Sequence, residues 1–65
     1  MYKNNIKKSR KEKGMRLIDV AEKSGISVGY LCHLEKGSRS NPSMEVMENI
    51  AFALNKSVAE VFFQK

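Results

Sequence analysis

Residues 17–37 read LIDVAEKSGISVGYLCHLEKG. Leu17, Val20 and Ala21 fall on one stripe at helical spacing, so a helix of barely two turns is expected over residues 17–24. Gly25 can take the left-handed conformation that ends it, Ile26 turns into the core, and Ser27 offers a hydroxyl to cap the next helix. That helix then runs over residues 28–36 until Gly37 stops it. At about 100° per residue, Leu31 and Leu34 point to the core. Gly29, Cys32, His33 and Lys36 occupy the opposite face, with Val28, Tyr30 and Glu35 on its flanks.

The rest of the chain supplies helices on either side. Gly14 closes a first helix over residues 5–13, basic on its outside, with Ile6 and the stem of Arg10 turned inward at i, i+4 spacing. Beyond a polar loop over residues 37–41, Pro42 and a capping Ser43 open a helix whose stripe is Met44, Met47, Ile50, Ala51 and Leu54. Asn55 is expected as its left-handed end, and Ser57 with Glu60 forms a capping box for a last short helix through Phe62. The expectation is an all-α fold of five helices in a single domain over residues 1–65, with nothing left for a sheet. The methionines Met1, Met15, Met44 and Met47 read as core filling.

A chain of 65 residues buries only about 60% of the surface its unfolded form exposes, which leaves no room for a separate catalytic domain. Its 42% hydrophobic and 29% charged content suits a folded domain rather than a disordered tail. The net charge of +5 is unevenly placed: residues 1–40 carry ten Lys and Arg against four acids, and residues 41–65 carry two against three. That asymmetry fits a molecule offering one end to a polyanion and keeping the other for self-contact; solvated lysine faces are the plainer reading. Cys32 has no partner for an internal disulfide, which suits a reducing cytoplasm. The apolar runs are far shorter than a signal-peptide core or a membrane span, so neither export nor a membrane role is expected. One Cys and one His cannot make a four-ligand zinc site, and a redox role for Cys32 would need surroundings that favour a thiolate. With no nucleophile–base pair, Gly-rich phosphate loop or carboxylate pair in a cleft, the chain is read as a non-enzyme without metal or cofactor.

Two short helices joined by a Gly-containing turn make a helix-turn-helix, here over about residues 17–36. In such units the second helix enters a major groove ~12 Å wide while the first lies across the backbone. The chain also contains Arg10-Lys11-Glu12-Lys13-Gly14, Val20-Ala21-Glu22-Lys23-Ser24-Gly25-Ile26-Ser27 and Tyr30-Leu31-Cys32-His33-Leu34-Glu35-Lys36-Gly37. Asn41-Pro42-Ser43, Ile50-Ala51-Phe52-Ala53-Leu54 and Ser57-Val58-Ala59-Glu60-Val61-Phe62 come after them in order. On these stretches it resembles the Cro/CI-repressor (Xre) family along nearly its whole length, and within it the SinR-like branch, whose recognition helix often carries a Tyr-Leu pair. The resemblance implies a compact, five-helix, lambda-repressor-like DNA-binding fold. It also implies a sequence-specific transcriptional regulator, a repressor that occupies a palindromic operator in double-stranded DNA as a homodimer, cytoplasmic and associated with the nucleoid. Val28, Gly29, Cys32 and His33 stand where relatives place base-reading side chains. Phosphate contacts are implied for Arg16 and the start of the second helix, for Tyr30 and Lys36, and for Ser38, Arg39, Ser40, Asn41 and Ser43. Arg10 and Glu35 match a pair that bridges the first and third helices in several relatives.

The chain departs from the family pattern at two places. Relatives usually cap the second helix with Ser or Thr followed by a polar residue, whereas Arg16 and Leu17 stand here. The reading face is also poor in long polar side chains: Val28 and Gly29 offer a thymine-methyl contact and close backbone approach, and His33 is the best donor. Bidentate pairs worth about 1–3 kcal/mol each are missing, so phosphate contacts and DNA shape should carry much of the recognition. Val46, Phe52, Ala53 and Phe63 are expected to build the two-fold interface, with half-sites ~34 Å apart. The alternative folds Phe63 back onto its own core and lays Tyr2 over Phe52. A rival function is a protein-interaction module, an antitoxin or anti-repressor that docks a protein partner through its apolar C-terminal surface. A third is a non-specific basic binder of nucleic acid or anionic membrane.

Overall fold

The computed structural model describes residues 4–37 and 42–63. These form five helices, α1 (Ile6–Glu12), α2 (Leu17–Ser24), α3 (Val28–Lys36), α4 (Met44–Ala53) and α5 (Val58–Phe62), with no strand among the described residues. The apolar faces of the five meet in one core, where Ile6, Val20, Leu31, Leu34, Ile50, Leu54 and Val61 are fully buried. Packing runs α2 against α3 and α4, α4 against α5, and α1 against both α3 and α5, so α3 is held from behind by two helices.

Each boundary has a local cause. Gly14 takes a φ of 68° after α1, and the N–H groups of Gly14 and Met15 return to the carbonyls of Lys11 and Arg10, both at 3.0 Å. Gly25 ends α2 in the left-handed region, and the Ser24 Oγ accepts the Ile26 N–H at 3.2 Å. Ser27 then caps α3 by accepting the Tyr30 N–H at 3.2 Å, as Ser43 caps α4 by accepting that of Val46 at 3.2 Å. Asn55, the single non-glycine residue with positive φ among those described, closes α4 while Lys56 N–H donates to the Ala51 carbonyl at 3.0 Å. The Ser57–Glu60 box is complete: Glu60 Oε1 accepts the Ser57 N–H at 2.8 Å and Ser57 Oγ accepts the Glu60 N–H at 3.1 Å.

Two expectations about α4 are corrected. Met44 is 53% exposed rather than core, because it lies in the first turn at the edge of the buried arc. Ala53 is only 5% exposed and belongs to the core. It faces inward because α4 is packed by α5 as well as α2, which makes its buried arc wider than a single stripe. The same crowding half-buries Val46 against the core. Of the remaining methionines, Met47 is buried and Met15 packs on the core, while Met1, like Tyr2, lies outside the described residues.

Candidate nucleic-acid interface

The α3 helix is fixed on its inner side by Leu31 and Leu34 and at its C-terminal half by polar contacts from the start of the chain. Arg10 Nε donates to Glu35 Oε2 at 2.8 Å and Nη2 to Oε1 at 3.3 Å, a two-pronged pair that is largely shielded from solvent. The third prong, Nη1, donates to the Met15 carbonyl at 3.1 Å and so ties the loop before α2 to the same point. Asn4 adds a grip that the sequence alone did not suggest: its Nδ2 donates to the Leu34 carbonyl at 2.8 Å while its Oδ1 accepts the Ile6 N–H at 3.0 Å. One side chain thus serves the open end of α1 and a last-turn carbonyl of α3. The tandem Asn4-Asn5 before an apolar residue was a visible capping signal; its second partner, 30 residues on, had no local signal.

The outer face of α3 is accessible. Gly29, His33 and Lys36 are exposed, Val28 is 37% exposed, and Cys32 is a half-buried free thiol. Tyr30 stands on the flank, half-buried against the core. Lys36 occupies the last turn, where a cation offsets the negative end of the helix. Of the implied phosphate contacts, Ser38, Arg39, Ser40 and Asn41 lie outside the described residues, and Ser43 sits at the start of α4 with its oxygen engaged by Val46.

Arg16 takes the cap position of α2 at which the sequence placed it, and there it has a partner of its own. It stands before α2 with its guanidinium on Asp19, Nη2 to Oδ1 at 3.2 Å and Nε to Oδ2 at 3.3 Å, while its own N–H donates to Asp19 Oδ2 at 2.7 Å. An arginine has no acceptor with which to cap a helix, so the acid at the third helical position takes the capping role alone. The hydrogen bond from the Arg16 side chain, followed by that from its backbone, holds the Asp19 carboxyl below the usual carboxylate range. The same contact raises the already high pKa of Arg16. The α2 start therefore offers a phosphate one arginine already shared with a carboxylate, and the Arg16 N–H is taken. An acid three residues after the helix cap was the available sign. The Arg16 side chain remains 79% exposed, and its Nη1 donors are left for an incoming anion.

Away from this face, Phe52 is 80% and Phe63 57% exposed, and Phe63 does not fold back into the core. Lys56 Nζ pairs with Glu12 Oε1 at 3.2 Å, bracing α1 against the turn before α5. Among the described residues no group of three or more His, Cys, Asp or Glu side chains gathers as a metal site would require, and no helix is long and apolar enough to cross a membrane.

A family model described as helix-turn-helix matches residues 6–61. The transcriptional regulator SinR of Bacillus subtilis is 37% identical over 65 residues, which is 100% of this chain and 59% of SinR, so the chain spans little more than half the length of that relative. A crystal structure of SinR, the master regulator for biofilm formation, in complex with DNA superposes with a TM-score of 0.79 at 41% identity, covering 83% of this chain and 86% of that one. A complex of SinR with the SinI protein gives a TM-score of 0.79 at 40% identity, covering 85% of this chain and 53% of that one. With a family match across α1 to α5 and relatives of this similarity, the chain belongs to the helix-turn-helix family of the Cro/CI (Xre) type, alongside the SinR-like transcriptional regulators.

Proposed function

We propose that the chain is a sequence-specific, double-stranded-DNA-binding transcriptional regulator without catalytic activity, acting as a repressor by occupying its operator in the reducing cytoplasm. The observation that carries this reading is the outer face of α3: exposed, free of core duties, and braced from behind by the Arg10–Glu35 pair and Asn4. A helix held this way can enter a major groove without losing its pose. Val28, Gly29, Cys32 and His33 would meet base edges, and Arg16, Tyr30, Lys36 and Ser43 phosphates, together with Ser38, Arg39, Ser40 and Asn41. Selection of bound duplexes from a random pool at ~150 mM salt tests it, since weak electrostatic binding is already reduced there. An enriched palindrome with half-sites ~34 Å apart is expected of a dimeric reader; a pool without enrichment would sink the proposal.

Dimerisation through Phe52 and Phe63, rimmed by what remains accessible of Val46, belongs to the same proposal. Two phenylalanines this exposed also support a second reading, a protein-interaction module, in keeping with the SinR–SinI complex among the similar structures. The double variant F52S/F63S separates them. A dimeric DNA reader loses self-association by sedimentation and DNA affinity together, whereas an interaction module keeps its DNA affinity.

A further inference from the structure

Around α3, at about 100° per residue, the direction opposite Leu31 and Leu34 is shared by Gly29 in the first turn and Lys36 in the last, so at the start of the helix the position aimed away from the core is one without a side chain. Nothing in the fold asks for that glycine. A Cβ placed on it meets no atom within 4 Å, and Gly29 is not among the residues with positive φ, unlike Gly14, Gly25 and Gly37. Glycine also weakens a helix relative to alanine. The result is a notch in the outward face, bordered by the exposed isopropyl group of Val28 and by Cys32 on one side and by His33 on the other. Two of these three borders are apolar.

The major groove displays a single apolar projection, the C5-methyl of thymine. We propose that the Gly29 notch receives a thymine methyl, which makes Gly29 a specificity-determining residue through the side chain it lacks, with Val28 and Cys32 as the walls. This rests on the DNA-binding reading above and refines it: the half-site carries a thymine opposite the first turn of α3. A Cβ at position 29 would fill the notch and hold the helix away from the base edge.

The test uses the site selected by the wild-type chain, with each thymine replaced in turn by uracil, which keeps every hydrogen-bonding group and lacks only the methyl. Wild-type protein and Gly29→Ala are compared on each duplex. Wild-type binding should weaken about fourfold at one thymine per half-site, the effect of losing one buried methyl. Gly29→Ala should unfold at the same temperature as wild type or higher, bind the thymine site several-fold more weakly, and no longer distinguish thymine from uracil there. The inference is overturned if every uracil duplex binds wild type as well as its parent, or if Gly29→Ala retains both affinity and discrimination. A wild-type chain that selects no site removes the DNA-binding reading and the inference with it, while a selected site indifferent to its methyls removes the inference alone.

Discussion

Arg10 directs one guanidinium to two elements, the Glu35 carboxylate on α3 and the Met15 carbonyl before α2. Because Glu35 is shielded, removing its partner leaves a carboxylate with little water and no cation. Arg10→Met is expected to cost about 3 kcal/mol in urea unfolding, and R10M/E35L to recover most of that, since a buried pair is costly chiefly when half of it is removed. Asp19 and Glu60 act through their charge in a different way. Both accept backbone N–H groups at helix starts and both are held below the usual carboxylate range, Asp19 chiefly by Arg16 and Glu60 chiefly by the Ser57 N–H. A depressed folded-state pKa means stabilisation that is complete above the unfolded-chain value of about 4 and is lost as pH falls through the lower folded value. The thermal midpoint should therefore hold from neutrality to about pH 5 and drop below about pH 4, with a shallower acid drop in D19N/E60Q. An equal acid drop in that variant would place the sensitivity elsewhere.

At the scale of elements, the part legible in advance is how each helix treats its own ends. Ser27, Asn55 and the Ser57–Glu60 box needed only neighbours within a few residues, and the boundaries of α3 derive from Ser27 and Gly37 alone. The Leu34 partner of Asn4 and the burial of Ala53 were not readable, because the first depends on how α1 packs on α3 and the second on how α4 packs on α5 rather than on local spacing. The two glycines flanking the start of α3 make the distinction measurable. Gly25 has a φ of 75°, so Gly25→Ala should cost about 1–2 kcal/mol for a side chain in the left-handed region. Ser27→Ala should cost about 1 kcal/mol for the lost cap. Gly29→Ala should not destabilise at all. Chemical denaturation of the three variants side by side checks the order; a destabilised Gly29→Ala would mean that the glycine serves the fold.

For the whole molecule, two surfaces of different character lie on different elements: the small, mostly uncharged outer face of α3, and the aromatic pair Phe52 and Phe63 on α4 and at the end of α5. The candidate reading face was readable as positions but not as a working state, since the clasp of Arg16 by Asp19 decides what the α2 start can offer an anion. The outer face of α3 is proposed to be the surface that meets DNA. Mapping amide chemical-shift changes while titrating the chain with its selected duplex tests that claim residue by residue. The predicted result is that the largest changes fall on Arg16, Leu17 and Ile18 and on Ser27 through His33, with Phe52 and the outer lysines of α1 little moved. Changes centred on Phe52 and Phe63, or spread over Lys7, Lys8 and Lys11 with α3 silent, would contradict it.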